Sequence, residues 1–277
     1  MIKVRKDNFS LRQICESGQC FRLKELTVDV YELVAMGRYL RLEQQGEEIT
    51  FHCDEEEFQS VWRSYFDLDG NYGQMIASVR ETDTYLQAAV NYGRGIRILK
   101  QDLWEMIVSF IVSQQNNIKR IRRCIALLCE RYGVRRETAE GQVYYDFPTP
   151  ESLAGAELDD LAQCNLGYRN KYIKKAAQSV CLGEVSLEEI RTMPYRSAVE
   201  ELKKLCGVGD KVAECICLFA LHQLDAFPID THIKKVLECQ YPGGFPFDAY
   251  AGYAGVIQQY IFYYDLAGEK KLGMQTC

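Results

Sequence analysis

The run Leu202-x-x-Leu205-x-Gly207-Val208-Gly209-x-Lys211, followed by Asp230 inside Pro228-Ile229-Asp230-Thr231-His232, constrains this chain more than any other stretch. Apolar residues at helical spacing on either side of Gly-x-Gly predict a helix, a tight turn and a second helix. Glycines let a backbone approach an anion closely, and the N–H groups that open the second helix are donors for it. Such a turn suits a nucleic-acid phosphate. Lys211 falls in the first turn of the second helix, where the positive dipole end disfavours its proton, and a neutral amine is a nucleophile. Asp230, at the start of the next helix, can orient that amine or stabilise positive charge on a sugar. Each residue also has a plainer role, Lys211 as a solvated cation and Asp230 as the cap of a helix over 231–238. Their joint spacing around the turn favours attack at an electrophilic sugar carbon.

Composition agrees with an intracellular enzyme: 277 residues, 47% hydrophobic and 26% charged, are enough for a large core in one or two domains. No apolar run approaches a membrane span, and the start lacks the apolar stretch of a signal peptide, so a cytoplasmic protein is expected, at the nucleoid if the host is bacterial. The twelve cysteines are scattered and mostly in apolar helical surroundings, which reads as reduced thiols rather than disulfides. Cys215 and Cys217 sit too close together, and Cys239 and Cys277 too isolated, for zinc or an iron–sulfur cluster. No metal and no cofactor are expected. The net charge of −6 is an awkward sign for a DNA binder, but it is unevenly spread. Lys119, Arg120, Arg122, Arg123, Arg131, Arg135 and Arg136 form one basic group, and Arg169, Lys171, Lys174 and Lys175 form another. The acids gather at Glu47, Glu48 and Asp54 to Glu57. Two basic groups near a phosphate-binding turn predict further phosphate contacts.

Alternation around glycine turns over 31–53 predicts a strand meander, and 58–65 and 72–92 read as helical. From Asp102 onward the pattern is almost wholly helical. Trp104, Ile107, Val108, Ile111 and Val112 recur at helical spacing, and an amphipathic helix follows over 118–132. Later helices are expected over 157–163, 171–180, 187–192, 196–206, 210–221, 231–238 and about 249–266. The fold class is α+β, with a small antiparallel β-sheet domain over 1–92 in front of a helical domain over 93–277. The absence of a linker predicts tight packing around a shared cleft.

On the Gly207 to Lys211 turn, Asp230 and the stretch through Cys215-Ile216-Cys217-Leu218, the chain resembles the helix-hairpin-helix DNA glycosylase superfamily, and within it the 8-oxoguanine DNA glycosylase branch. The resemblance implies a base-excision enzyme with an associated abasic-site lyase, Lys211 as nucleophile and Asp230 as its support. The polar break Ser113-Gln114-Gln115-Asn116-Asn117-Ile118-Lys119-Arg120 matches the loop that fills the gap left in the DNA stack, with Gln115 where the family often has asparagine. Asn117 and Arg120 follow the family there, Arg120 reaching the orphaned cytosine. In Leu166-Gly167-Tyr168-Arg169, the match makes Tyr168 the wedge and Arg169 a second cytosine reader. A ring stacked on a base is worth about 1–3 kcal/mol.

A flipped purine needs stacking on its faces and polar readers on its edges. Cys215 lies one turn after Lys211, and Gln258 and Phe262 lie one turn apart on the last helix, so each pair shares a helical face. The family's Tyr-Ala-Gly motif fits two registers, and Tyr253-Ala254-Gly255 is the one that sets Gln258 and Phe262 at the family's spacing. Ser17-Gly18-Gln19-Cys20-Phe21-Arg22 resembles the loop whose glycine carbonyl accepts the N7 hydrogen present in 8-oxoguanine and absent from guanine. His232 matches a histidine that binds a 5′ phosphate or helps to orient the aspartate. The expected partner is duplex DNA containing 8-oxoguanine, with cytosine opposite, and the expected state is a monomer. Two other readings stand beside this one: a bifunctional glycosylase for a different lesion, and a noncatalytic helix-hairpin-helix DNA-binding module.

Overall fold

In the computed structural model, residues 1–273 are described, with side chains through Gly268; Cys277 lies outside the described residues. The N-terminal part is a five-stranded antiparallel sheet of β1 (Ile2–Arg5), β2 (Leu23–Thr27), β3 (Val30–Ala35), β4 (Arg38–Gln45) and β5 (Glu48–Phe51), in the order β1-β5-β4-β3-β2. Its register sets Tyr31 against Leu42, Leu33 against Leu40 and Leu42 against Phe51, so one face is continuously apolar. The meander read from 31–53 is β3 to β5. The two edge strands escape the pattern because β2 buries only Leu23 and β1 buries none of its residues. Phe58, Trp62 and Phe66, carried on and just after a helical segment that opens at the Asp54 cap and includes one π-turn over Phe58–Trp62, close the apolar face.

The helix expected over 72–92 is two, Tyr72–Ala77 and Thr84–Gly93. The break arises because the Asp83 carboxylate accepts the Leu86 N–H at 2.9 Å and so starts a new helix. Tyr72, Ile76, Leu86 and Val90 pack into the helical core rather than under the sheet. That core is built around Leu103–Ser113, whose capping residue is Asp102 and which is buried along nearly its whole length. Ile118–Tyr132 lies beside it with a polar outer face. A short hairpin of Arg135–Glu137 and Val143–Tyr145, and a helix Pro150–Ala154, interrupt the helical pattern where none was expected. Their few exposed residues carry no periodicity to read.

Leu158–Ala162, Arg169–Cys181, Leu187–Thr192, Tyr195–Leu202, Asp210–Phe219, Thr231–Gln240 and Ala254–Gly273 complete the chain. The helix expected over 196–206 ends at Leu202, where the chain turns into the Gly207 hairpin, and the last helix starts at Ala254 rather than near 249. Phe247–Tyr250 makes a 3-10 turn and Gly252 has φ of +88°, which together prevent an earlier start.

The two halves are joined by buried polar bonds. Gln101 Nε2 donates to the Gln19 carbonyl at 2.8 Å, and Arg22 pairs with the buried Glu105 at 3.4 Å. Arg122 donates to the Cys15 carbonyl at 2.6 Å, and Tyr263 Oη to Glu16 at 2.8 Å. The loop carrying Gly18 is therefore fixed against the helical half.

Candidate active site

The hairpin forms as the spacing demands. Gly207 has φ of +86°, and a Cβ there would stand 2.8 Å from the Tyr172 ring, so only glycine fits. Its carbonyl accepts Gln114 Nε2 at 2.8 Å, which ties the turn to the 113–117 loop. Gly209 differs: a Cβ would meet nothing within 4 Å, and the helix Asp210–Phe219 that it opens has no side-chain cap. The turn thus presents first-turn N–H groups beside open space, the arrangement that receives an anion.

Lys211, on this helix, lines a cleft of about 60 Å³, partly open to solvent. Its lining includes Gly18, Lys211, Cys215, Asp230, Gln258 and Phe262, drawn from four separate parts of the chain. The Lys211 Nζ lies 5.6 Å from the Phe110 ring centroid, and Phe110 stacks on Phe219 at 5.5 Å, so the amine rests on an apolar floor. Burial pushes the Cys215 thiol up to about 11 against the pull of the neighbouring Lys211 amine, so the wall beside the amine is a neutral thiol. Asp230 caps Thr231–Gln240, its Oδ1 accepting the Ile233 N–H at 2.9 Å, and faces the same cleft. The plainer role expected of Asp230 is present, and the cap fixes the carboxylate of a residue that also lines the cleft.

Gln258 is buried and its Nε2 donates to the Pro228 carbonyl at 3.0 Å. That bond decides which way the amide faces, and Oε1 is left as a buried acceptor without a partner. Gly255 is required sterically: a Cβ there would stand 2.4 Å from the Ala226 carbonyl oxygen. Phe262 closes the cleft against Gly18, whose φ is +76° and whose added Cβ would touch the Phe262 ring at 3.4 Å. His232 meets the Phe262 ring edge-on at 5.7 Å and bonds Asp265 through Nδ1 at 2.9 Å, so it braces the wall of the pocket.

Ser17, Phe110, Phe219, Pro228 and Gln259 also line the cleft and were not singled out from the sequence. The two phenylalanines sit in apolar helical runs that read as core. Gln259 carried one signal, a second glutamine beside Gln258 in an otherwise apolar helix.

The strand-facing loop lies beside the hairpin. Asn117 caps Ile118–Tyr132 by accepting the Arg120 N–H at 2.9 Å, and Arg120 is exposed just after it. Gln115 has φ of +47°, a left-handed conformation that costs a non-glycine residue about 1–3 kcal/mol. Tyr168 is 46% exposed, edge-on to Tyr172, and its hydroxyl reaches Gln115 Oε1 at 3.4 Å. Arg169 is only 4% exposed. Its Nε and Nη2 donate to the Gln114 carbonyl, Nη2 also to the Gln115 carbonyl at 3.1 Å, and Nη1 to the Leu166 carbonyl at 3.1 Å. In this conformation the guanidinium holds the loop rather than projecting from it.

The basic groups divide likewise. Arg131, Arg135 and Arg136 pair with Asp160, Glu137 and Asp146, whereas Lys119, Arg120, Arg123, Lys171 and Lys175 are exposed. Among the described residues no group of three or more His, Cys, Asp or Glu side chains is placed to hold a metal ion, and no helix is long and apolar enough to cross a membrane.

Comparison with known proteins agrees along the chain. Residues 1–107 match the 8-oxoguanine DNA glycosylase N-terminal domain, and residues 108–241 match the HhH-GPD superfamily of base excision DNA repair proteins. The N-glycosylase/DNA lyase of Saccharomyces cerevisiae is 29% identical over 269 residues, covering 87% of this chain and 70% of the yeast protein. The solved 8-oxoguanine glycosylase/lyase of Clostridium acetobutylicum, bound to duplex DNA with cytosine opposite 8-oxoguanine, superimposes with a TM-score of 0.89 at 34% identity, over 97% of this chain and 99% of that one. MBOgg1 in complex with a low-affinity DNA ligand gives a TM-score of 0.90 at 36% identity, over 96% of each chain. A hairpin with a lysine and an aspartate on one cleft, which the Ser17-Gly18 loop of the N-terminal part also lines, thus comes with likeness along nearly the whole length, and the chain belongs to the 8-oxoguanine DNA glycosylase family of helix-hairpin-helix N-glycosylase/DNA lyases.

Proposed function

We propose that this protein excises 8-oxoguanine from duplex DNA, preferentially opposite cytosine, and then cuts the strand at the abasic site through a Schiff base on Lys211. The observation that carries the reading is that Lys211, Asp230 and Gln258 line one cleft, with the Gln258 Oε1 buried and without a partner. A buried acceptor without a partner costs about 1–3 kcal/mol, which a ligand with matching donors recovers. The Watson–Crick edge of a guanine-type base carries such donors, at N1 and at the exocyclic N2. Gly18 and Phe262 flank the same cleft, the carbonyl of Gly18 as acceptor for the N7 hydrogen and the ring as a stacking face. Guanine, with an acceptor at N7, would leave that carbonyl unpaired.

The Lys211 amine attacks C1′ of the flipped nucleotide; the N–C1′ bond forms as the bond from C1′ to the base nitrogen breaks, and the base leaves with the electron pair. Asp230, held at its helix N-terminus, stabilises the positive charge that develops on the sugar. Loss of the amine proton and opening of the sugar ring give the Schiff base. Removal of a C2′ proton then expels the 3′ phosphate by β-elimination. In this reading Gln115 and Asn117 lie on the loop that fills the gap in the stack, Tyr168 is the wedge and Arg120 reaches the cytosine opposite, while Arg169 reads that cytosine only on releasing the loop carbonyls it holds here; the Gly207 to Gly209 turn and His232 contact the backbone of the lesion strand. We place the protein at cytoplasmic DNA, acting as a monomer without a cofactor.

Borohydride trapping on duplexes with 8-oxoguanine opposite each of the four bases tests this reading. The expected result is a covalent adduct strongest opposite cytosine and absent with Lys211→Gln. Tight binding to every duplex with no adduct would overturn the Schiff-base mechanism. An equal adduct opposite all four bases would overturn the cytosine preference alone.

A further inference from the structure

Two adjacent glutamines on the last helix hold opposite walls of the cleft. Gln258 bonds the Pro228 carbonyl on the side leading to Asp230, while Gln259, 2% exposed, donates Nε2 to the Ser17 carbonyl at 2.7 Å on the side of the sheet. The Ser17 carbonyl lies in the peptide plane that ends at the Gly18 nitrogen, so this bond fixes the plane preceding Gly18. The plane following Gly18 is fixed through Gln19. Its Nε2 donates to Ser17 Oγ at 3.0 Å and to the Arg97 carbonyl at 2.9 Å, its Oε1 accepts the Leu99 N–H at 2.9 Å, and its carbonyl accepts Gln101 Nε2.

Between the two planes only the φ and ψ of Gly18 are soft, and a glycine at φ of +76° has wide freedom in both. The anchors of Gln19 lie within the loop and in residues 97–101. Gln259 instead comes from the helix that carries Gln258 and Phe262, and Tyr263 adds a bond to Glu16 farther from the cleft. Gln259 therefore makes the hydrogen bond that links the peptide plane next to Gly18 directly to the helix of Gln258 and Phe262, whereas the other ties of the loop run through residues farther from Gly18.

We propose that Gln259 is a positioning residue for lesion discrimination: its bond to the Ser17 carbonyl holds the Gly18 carbonyl at the place relative to Gln258 and Phe262 where a purine with a hydrogen on N7 is accepted and guanine is rejected. The inference rests on the reading of Gly18 given above. Gln259 touches neither the sugar nor Lys211 in this scheme, so the lyase step on an abasic site, which has no base to read, does not depend on it.

The test uses Gln259→Met, a non-donor of similar length, and Gln259→Glu, which keeps the shape but places an acceptor against the carbonyl. Three quantities are measured: single-turnover excision from an 8-oxoguanine:cytosine duplex, binding preference between non-cleavable 2′-fluoro duplexes carrying 8-oxoguanine or guanine, and strand cleavage of a preformed abasic duplex. With either variant, excision and preference are expected to fall about tenfold while abasic cleavage stays within about twofold. Abasic cleavage falling in step with excision would make Gln259 a general packing residue and overturn the proposal, as would excision and preference both unchanged. If the unaltered protein itself shows no preference for 8-oxoguanine, the reading of Gly18 fails together with the proposal. Should the Met variant not fold, the Glu variant supplies the same three readouts.

Discussion

The cleft around Lys211 and the 113–117 loop with Tyr168 and Arg169 are neighbours built on opposite principles. In the cleft, Gln258 and Asp230 are each fixed by a hydrogen bond to the backbone: Gln258 is held through Nε2 while its Oε1 has no partner, and Asp230 is held through Oδ1 at its cap. In the loop, the polar groups satisfy one another. Arg169 bonds three backbone carbonyls, Tyr168 reaches Gln115, and Gln115 itself sits at a positive φ. The cleft keeps a polar atom unpaired, whereas the loop is closed on itself, and in the function proposed here it exchanges internal bonds for DNA contacts. A residue of the pocket should therefore cost activity with little stability, and a residue of the loop should cost stability as well as recognition.

Arg169→Ala should separate the two regions most strongly. It removes the side-chain donors to the carbonyls of Gln114, Gln115 and Leu166, of which only Leu166 keeps another donor among the described residues, the backbone N–H of residue 169, and the expected loss is about 3 kcal/mol, read from urea denaturation. Arg169→Lys is expected to recover less than half of this, because a single ammonium cannot reproduce the planar fork. Full stability in Arg169→Ala with the cytosine preference lost would show that the loop is held by other contacts and that Arg169 acts only on DNA.

Gln258→Met should invert that pattern. It removes the donors' partner on the base and is expected to lower excision by about 100-fold, equivalent to about 2.7 kcal/mol in the transition state. Its stability should stay within about 1 kcal/mol, since deleting an unpartnered acceptor offsets the lost bond to Pro228. The comparison breaks if Gln258→Met unfolds as readily as Arg169→Ala.

The same contrast explains what the sequence made legible. Lys211 and Asp230 were readable from the hairpin spacing and a helix start, whereas Gln258 and Phe262 came from the family resemblance; the structure sets these four and Cys215 on one cleft. The β3 to β5 meander and the long amphipathic helices followed from period alone. The clamp made by Arg169 was not readable, because a buried guanidinium donating to carbonyls some 55 residues away leaves no local pattern. Gln259 was hidden for the same reason, its partner Ser17 being at the other end of the chain. Phe110 and Phe219 look like any core ring until the fold brings Lys211 over them. The broken helix at Asp83 was in principle legible, since an aspartate three residues before Leu86 is a cap signal, but the apolar period ran across it.

The smaller effects lie within the hairpin, where two glycines two residues apart answer to different demands. Gly207→Ala meets the Tyr172 ring at 2.8 Å and forces an alanine into φ of +86°, so thermal or urea unfolding should show a loss of about 2 kcal/mol. Gly209→Ala meets nothing, and its φ of −102° is open to any residue, so stability should change by less than about 0.5 kcal/mol. The methyl group would nevertheless stand beside the uncapped N–H groups at the start of Asp210–Phe219, where a phosphate has to come close. Affinity for an undamaged duplex, measured by fluorescence anisotropy at two salt concentrations, should therefore drop about threefold with its salt dependence unchanged, because no charge has been removed. An unchanged affinity in Gly209→Ala would mean that the turn binds no phosphate at that point and that Gly207 is needed for the fold alone.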